Sequence, residues 1–177
     1  ALYYGQKILI LDTESEISLY KKKQIKIFEP NLEKILNQFS KNFKISSNFD
    51  DAKKSDIIFL AKDIKTDKKN NVLLKESENL LKKIKLYRKK ILVIMNQVPV
   101  GFTRKIKWNK NQLFHFVETL VFGNAINRAI KPERIIIGKE NIENKISIKL
   151  LYFLKLYNCE IIQMTYEESE LTKGFIN

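Results

Sequence analysis

The sequence has very few of the residues that build metal centres and disulfide frameworks. Its 177 residues include one Cys, Cys159, and one His, His115. A single Cys excludes a disulfide framework and a multi-Cys metal site, and a single His excludes a His-rich metal site. We therefore expect no metal in this protein. We assign His115 a structural role and Cys159 the role of a small buried filler.

Long apolar runs are also missing. No run reaches the ~18 apolar residues that a membrane-spanning helix needs. No basic and apolar leader opens the chain, which begins with Ala1 rather than Met. We expect a soluble cytoplasmic protein with no membrane partner, and we expect the chain to be a piece of something longer.

Glycine and arginine are scarce as well. There are five Gly, and no G-x-G-x-x-G phosphate-binding motif occurs in the sequence. The 33 basic and 20 acidic residues give a net charge of +13, but only four of the basic residues are Arg. Nucleic-acid-binding modules concentrate their charge and use Arg for bidentate contacts, whereas the Lys residues here are spread out. We favour a solvated basic surface and keep a basic nucleic-acid-binding α/β domain as an alternative.

The apolar residues suffice for a core, and their pattern alternates between strands and helices. Hydrophobic residues make up 44% of the chain, which excludes wholesale disorder. Short apolar runs predict strands at residues 8–11, 25–28, 43–45, 57–61, 91–95, 113–117, 135–137 and 160–164. Other patterns predict helices at residues 31–39, 50–54, 72–87, 142–157 and from 166 onward. Apolar strands separated by helices are typical of a doubly wound, mostly parallel α/β sheet.

Ligands of such sheets bind at the carboxyl ends of the strands, and Asp12 ends the first predicted strand. A carboxylate at a strand end can accept hydrogen bonds from both hydroxyls of an adenosine ribose. It can equally cap the helix that follows, and it also fits a receiver-type or flavodoxin-like domain. The residue alone leaves these alternatives open.

Two later strand ends carry further candidates. Residues 97–104 follow the most apolar strand, and Pro99 and Gly101 favour an irregular loop that exposes backbone groups to a ligand. The alternative is a plain strand-to-helix turn. Glu118 follows the next strand, where a lone carboxylate suits a general base or a water-positioning group. The alternative is an exposed Glu beside a helix dipole.

Lys173 and Asn177 are four residues apart on the last predicted helix, so they share one face. An ammonium and an amide that point at the same atom can stabilise an oxyanion. The alternative is an ordinary surface Lys, because Lys is abundant throughout this chain.

Five segments, taken in order, resemble the UDP-glucose/GDP-mannose dehydrogenase family. They are F-E-P-N-L at 28–32, S-D-I-I-F-L-A at 55–61, Q-V-P-V-G-F-T at 97–103, G-N-A with P-E-R-I-I-I-G at 123–138, and S-E-L-T-K at 169–173. The resemblance covers nearly the whole chain, in the form of a divergent branch.

The resemblance implies a function and a domain plan. The family oxidises a UDP- or GDP-linked sugar at C6 with NAD, from alcohol to carboxylate. Residues 1–165 would form its Rossmann-like domain without the first strand and phosphate loop, and residues 166–177 would begin its central dimerising helix. The parent would be a homodimer or larger. The chain alone would be inactive, because the family's nucleophilic Cys and sugar-nucleotide domain lie further along.

The same resemblance implies three groups of site residues. The cofactor group is Asp12, Ala61, Gln97 and Val98. The substrate group is Thr119, Leu120 and Phe122. The catalytic group is Glu118, Lys173 and Asn177.

The sequence departs from the family pattern at three places. Gln97 replaces an active-site Thr, Phe122 replaces a second Glu, and residues 62–65 replace a V-G-T-P loop. Glu118 could assume the role of the missing carboxylate. The alternative is a catalytically inactive Rossmann scaffold.

Overall fold

The computed structural model describes residues 1–21, 29–69, 72–121 and 123–176. The chain divides into two compact units, one made of residues 1–55 with 120–132 and the other of residues 56–119 with 133–177. Within the described ranges, none of the helices combines the length and the apolar character that a bilayer crossing requires. The strand predicted at residues 25–28 lies outside the described residues.

The first unit contains a pair of parallel strands. The strands are β1 (Ile8–Leu11) and β2 (Phe43–Ser46), which pair from Ile8 with Phe43 to Leu11 with Ser46. The described helices of this unit are α1 (Glu14–Lys21), α2 (Leu32–Gln38) and α5 (Ala125–Ile130). The short helix predicted at residues 50–54 is a 3₁₀ helix, Phe49–Lys54, and the Asn48 side chain caps it.

Hydrogen bonds explain why residues 120–132 belong to this first unit. The Glu29 carboxylate accepts from the backbone N–H of Gly123 at 2.9 Å and of Ile126 at 3.3 Å. These N–H groups lie at the start of α5, where a helix leaves its first donors without internal partners. At the other end of α5, the Tyr4 hydroxyl donates to the Ile130 carbonyl at 2.6 Å. Both ends of the helix are therefore held by the N-terminal segment.

The second unit is built on a five-stranded sheet whose strands follow the chain order. The strands are β3 (Ile57–Leu60), β4 (Ile91–Ile94), β5 (Leu113–Val117), β6 (Arg134–Lys139) and β7 (Glu160–Thr165). Neighbouring strands are parallel except for β5 and β6, which are antiparallel. The helices are α3 (Lys75–Ile84), α4 (Phe102–Lys105), α6 (Ile148–Lys155) and α7 (Tyr166–Ile176). This mostly parallel α/β architecture confirms the predicted fold class.

The helix predicted at residues 142–157 is wrong over its first six residues, since α6 begins only at Ile148. The side chain of Lys139 is 3% exposed and forms hydrogen bonds with carbonyl groups of the loop between β6 and α6. Its ammonium donates to the Ile142 and Asn144 carbonyls at 2.6 Å each and to the Gln163 amide oxygen at 2.8 Å. Those two carbonyls are held in a loop rather than in a helix.

The core of the second unit lies between the sheet and α6. All four residues of β4 are buried, which is why its sequence is continuously apolar rather than alternating. Leu150 and Leu154, one turn apart on α6, are fully buried against this sheet. The strand residues in the cluster are Ile91, Val93, Phe114, Ile135 and Ile137. Cys159 packs at its edge as a half-buried side chain.

Helix α7 packs very closely on β6. A Cβ atom placed on Gly138 would stand 2.0 Å from the Ser169 hydroxyl oxygen and 3.2 Å from the Cβ of His115. Real Cβ atoms do not approach other atoms so closely, so the contact requires glycine at this strand position.

We predict that Gly138→Ala lowers the free energy of unfolding by about 2 kcal/mol or more, because the added methyl group must push α7 away from the sheet. Gly174→Ala is the matched control, since a Cβ there meets nothing within 4 Å. It should be neutral or stabilising by up to ~1 kcal/mol, because Ala is the better helix former. Urea denaturation of both variants measures this. Equal stabilities would contradict the close packing.

Candidate functional site

Three parallel strands of the second unit end at one edge of the sheet. The carboxyl ends of β3, β4 and β5 are followed by Ala61, Gln97 and Glu118 in turn. Ala61 and Gln97 are exposed, so both are accessible to a ligand. Val98 is only 6% exposed and contributes to the core, which leaves its backbone as the part that can meet a ligand. This edge is where α/β sheets of this kind bind ligands.

Helix α7 presents a polar face to the sheet and an apolar face to solvent. Its buried residues are Tyr166, Ser169, Glu170 and Lys173, each at most 2% exposed. The outward face carries Leu171 at 50% exposure, Phe175 at 83% and Ile176 at 47%. An amphipathic helix normally has the reverse arrangement. A buried polar face of this kind needs a partner for every group it carries.

Lys173 meets Glu118 at the end of β5. The Lys173 ammonium donates to Glu118 Oε1 at 3.3 Å, and its side chain is 3% exposed against 28% for Glu118. Glu118 supplies a counter-charge here, and removing it would leave a buried charge unpaired at a cost of several kcal/mol. The structure thus brings together two of the three predicted catalytic residues. The third, Asn177, lies outside the described residues.

Two buried acceptor atoms at this edge have no hydrogen-bond partner among the described residues. They are Glu118 Oε2 and Asn96 Oδ1. The Asn96 amide donates from Nδ2 to the Lys62 carbonyl, so its orientation is fixed by the loop after β3. Buried acceptors are nearly always satisfied, so a pair of unsatisfied ones marks a place where a ligand or water binds. Sequence reasoning missed Asn96, although a polar residue directly after the most apolar strand was a usable signal.

His115 is fully buried beneath this edge and connects β5 to α7. Its Nε2 lies 3.4 Å from the Asn96 carbonyl, and its Nδ1 lies 2.9 Å from the Ser169 hydroxyl. The Asn96 carbonyl only accepts hydrogen bonds, and the Ser169 hydroxyl donates to the Tyr166 carbonyl at 2.9 Å while contacting Nδ1 of the ring. Burial, together with the positive charge of Lys173, lowers the pKa of His115 to about 4, against the opposing effect of the Asn96 bond. The ring is therefore neutral at pH 7 and has a structural position.

Glu170 was also missed. Its two carboxylate oxygens accept from the backbone N–H groups of Gly101 and Thr103 at 2.6 and 2.7 Å. Its position within the S-E-L-T-K segment is visible in the sequence, but only the packed structure shows that its carboxylate is buried.

Asp12 follows β1 in the first unit. Its Oδ1 accepts from the Thr13 N–H at 2.8 Å, and the Thr13 hydroxyl in turn accepts from the Glu16 N–H at 3.4 Å. The Thr13 hydroxyl therefore caps α1, and the Asp12 carboxylate accepts the backbone N–H just before that helix.

The remaining predicted residues have varied positions. Thr119 is half-buried and follows Glu118 in the second unit, whereas Leu120 belongs to the first unit and is 45% exposed. Phe122 lies outside the described residues. Burial raises the pKa of the Cys159 thiol, which is thus protonated at neutral pH. Among the residues that the structure describes, no three His, Cys, Asp or Glu side chains cluster as metal ligands would.

This mostly parallel α/β architecture is that of Rossmann-type domains, which bind nucleotides at the carboxyl ends of their strands. The model of the UDP-glucose/GDP-mannose dehydrogenase family, NAD binding domain, matches residues 2–155. The chain belongs to this family, as its motifs predicted, and NAD is the cofactor that the matched domain indicates.

Curated relatives are much longer than this chain. A UDP-glucose 6-dehydrogenase from Campylobacter jejuni is 36% identical over 104 residues, which cover 56% of this chain and 26% of that protein. An uncharacterised protein from Methanocaldococcus jannaschii is 29% identical over 185 residues, which cover 96% of this chain and 21% of that protein. The matched segments of this chain therefore cover only about a fifth to a quarter of the length of these relatives.

Solved structures share the fold over nearly the whole chain. A ternary complex of GDP-mannose dehydrogenase from Pseudomonas aeruginosa matches with a TM-score of 0.83 at 20% identity, covering 98% of this chain and 44% of that one. A UDP-glucose dehydrogenase from Pyrobaculum islandicum matches with a TM-score of 0.78 at 20% identity, covering 97% and 44%. These similarities confirm the Rossmann-like fold.

We predict that burial of neutral His115 makes the free energy of unfolding depend on pH. The pKa of 6.5 in the unfolded chain falls to about 4 on folding, so the unfolded state binds the proton first as pH drops. Stability that is fully present above pH 6.5 is lost down to pH 4, by about 3 kcal/mol in total. Urea denaturation of the wild type and His115→Gln across this range measures it. The free energy of unfolding of the variant should lack this part of the pH dependence. Parallel curves of unfolding free energy against pH for wild type and variant would contradict the assignment.

Proposed function

We propose that this chain is the NAD-binding part of a dehydrogenase that oxidises a nucleotide sugar at C6 to the uronic acid. The observation that carries the proposal is the Lys173–Glu118 pair, in which an otherwise buried ion pair leaves one carboxylate oxygen, Oε2, without a partner. Family membership and the dehydrogenase relatives support the same class of reaction. UDP- and GDP-linked sugars are the substrates to test.

The residues present fit an NAD cofactor. Asp12 places a half-buried carboxylate at the carboxyl end of β1, the position from which an acidic side chain binds an adenosine ribose. Gln97 carries an exposed amide after β4, whose donor and acceptor match those of a nicotinamide carboxamide. The backbone of Ala61 and Val98 completes the proposed cofactor contacts. When bound, NAD supplies the acceptor for the hydride that leaves C6.

Lys173 and Glu118 would act on the oxygen and the proton at the sugar C6. The Lys173 ammonium, which is paired with Glu118, is positioned to stabilise the negative charge that develops on the substrate oxygen. The unpartnered Oε2 of Glu118 can accept a proton from the substrate hydroxyl or orient a water. Asn177, Thr119, Leu120 and Phe122 are the remaining proposed contacts to the substrate. Gln97 and Phe122 stand where the family has a Thr and a Glu, so Glu118 takes the carboxylate role alone.

The outward face of α7 supports a proposal about assembly. Residues 166–177 would begin the central helix through which a parent homodimer, or a larger oligomer, assembles, and residues 1–165 would be the NAD-binding domain. Apolar side chains as exposed as Phe175, at 83%, are the type that an interface covers. We assign the parent to the cytoplasm, and we expect the 177-residue chain alone to be inactive.

We predict that the full-length protein forms NADH from NAD with UDP-glucose, GDP-mannose or a related nucleotide sugar. Glu118→Gln and Lys173→Met should each lower kcat by a factor of about 100 or more, because they remove transition-state charge stabilisation. Lys149→Met is the control, since its ion pair with Asp56 is 2.5 Å long but lies at the surface. Absorbance at 340 nm measures turnover. If the folded full-length protein forms no NADH with any of these sugars, the alternative of a catalytically inactive Rossmann scaffold is favoured instead.

We also predict that Asp12→Ala weakens NAD binding to the full-length protein by about tenfold or more, because it removes the acceptors for the ribose hydroxyls. Asp50→Ala, an exposed carboxylate in the same unit, is the control and should leave the affinity unchanged. Isothermal titration calorimetry measures both. Equal affinity in the two variants would remove Asp12 from the site. Salt-sensitive binding to RNA or DNA in place of NAD would instead favour the nucleic-acid alternative.

A further inference from the structure

The Glu170 carboxylate connects two segments that carry proposed site residues. It lies on α7, is 2% exposed, and accepts from the N–H of Gly101 at 2.6 Å and of Thr103 at 2.7 Å. Gly101 belongs to the loop that begins with Gln97 and has a left-handed φ of 86°. Three residues further along α7 is Lys173. One side chain therefore connects the loop after β4 with the helix that carries the buried lysine.

A carboxylate suits this position better than any other side chain. The two N–H groups lie at the start of α4, where a helix leaves its donors without internal acceptors. Each oxygen of a carboxylate can accept one of them, whereas an amide offers one oxygen and would turn its NH₂ group towards the other donor. Charged acceptors also form the stronger hydrogen bonds. A Gln at this position would lose one bond and leave a buried donor unsatisfied.

The position of Lys173 depends on the same helix face. Glu170 and Lys173 are three residues apart, so their side chains project from neighbouring positions on one face. Lys173 then reaches Glu118 at 3.3 Å. Glu170 binds the segment after β4, Lys173 binds Glu118 after β5, and one turn of α7 connects the two residues.

A second link between α4 and α7 lies at the surface. Arg104 donates to Glu167 from Nε at 2.5 Å and from an Nη at 2.8 Å. Glu167 is one turn before Glu170, and its side chain is 34% exposed. Glu167 lies on the same helix as Glu170 and also binds α4. Its partner, however, is a solvated side chain rather than buried backbone N–H groups. The two glutamates are thus a natural matched pair for experiment.

We propose that Glu170 is a positioning residue that fixes Lys173 relative to the Gly101–Thr103 loop, so that the loop and the lysine open and close as one unit. The catalytic meaning of this coupling rests on the proposed function. The coupling itself does not, because it concerns only contacts within this chain. A cofactor held by the loop would in this way fix the position of the ammonium that acts on the substrate.

The test compares Glu170→Gln with Glu167→Gln in the 177-residue chain. Hydrogen exchange measures the exchange rates of the Gly101 and Thr103 amide protons. Acylation with acetic anhydride, followed by peptide mass spectrometry, measures the accessibility of Lys173. Glu170→Gln should raise the exchange rates of both amide protons at least tenfold and the rate of Lys173 acylation at least fivefold. Glu167→Gln should change all three by less than twofold.

Lys139 distinguishes coupling from general destabilisation. It is a second buried lysine of the same unit, 3% exposed, and its partners are carbonyls and the Gln163 amide rather than α7. Its acylation should change less than twofold in Glu170→Gln. Faster amide exchange with unchanged Lys173 acylation overturns the proposal, since Glu170 would then anchor the loop only. An equal rise at Lys139 and Lys173 overturns it as well.

A wild-type measurement covers the case in which Glu170→Gln does not fold. Under increasing urea, coupled groups share one opening reaction. The Gly101 and Thr103 amides and Lys173 acylation should then report the same opening free energy with the same urea dependence. Different values for the amides and the lysine would overturn the proposal. If the full-length protein has no dehydrogenase activity while these measurements agree, the proposed function fails and the coupling stands.

Discussion

A helix that turns its polar face towards a sheet must find a partner for every polar atom that it buries, and α7 is such a helix. Tyr166 donates to the Leu113 carbonyl at 2.8 Å, and Ser169, Glu170 and Lys173 meet a ring, a backbone turn and a carboxylate. These partners belong to β5, the loop after β4 and α4. Because each bond is directional, the face fixes where α7 lies far more tightly than apolar packing alone would. The candidate site is the place where one of these partners, Glu118, keeps an unsatisfied oxygen.

The strands were predictable from the sequence because burial on both faces leaves a local signal, as in β4 with its four buried residues. The start of α6 was not, because the carbonyls of the preceding loop are taken by Lys139, whose role depends on tertiary structure. In the site, Glu118 was predictable from its place at a strand end and Lys173 from its place on the last helix, and the family motifs implied catalytic roles for both. Periodicity misses Glu170 and Asn96, because it assumes that a helix buries its apolar face and that polar residues face solvent. Only the packed structure shows which polar residues are buried.

The high lysine content has a different meaning in different parts of the second unit. Lys139 is hydrogen-bonded to neutral oxygens, and desolvation lowers its pKa. Burying this ammonium is unfavourable, but its hydrogen bonds fix the loop before α6. Lys173 is compensated by a carboxylate at a sheet edge that also has an unsatisfied acceptor in Asn96. Lys149 lies at the surface with Asp56 and adds little stability, as exposed pairs generally do. The net charge of +13 is therefore a poor guide to function, whereas the burial of individual lysines is a good one.

The bonds from Glu29 to Gly123 and Ile126 have a consequence for how the chain folds during synthesis. They join residues 94 and 97 positions apart, and the intervening sequence contains three strands of the other unit. Contacts between such distant residues form slowly, since a long loop must close first. On the ribosome, the first unit therefore lacks α5 and the partners of Glu29 until residue 132 has emerged. Three strands of the second unit are therefore synthesised before the first unit has all of its residues.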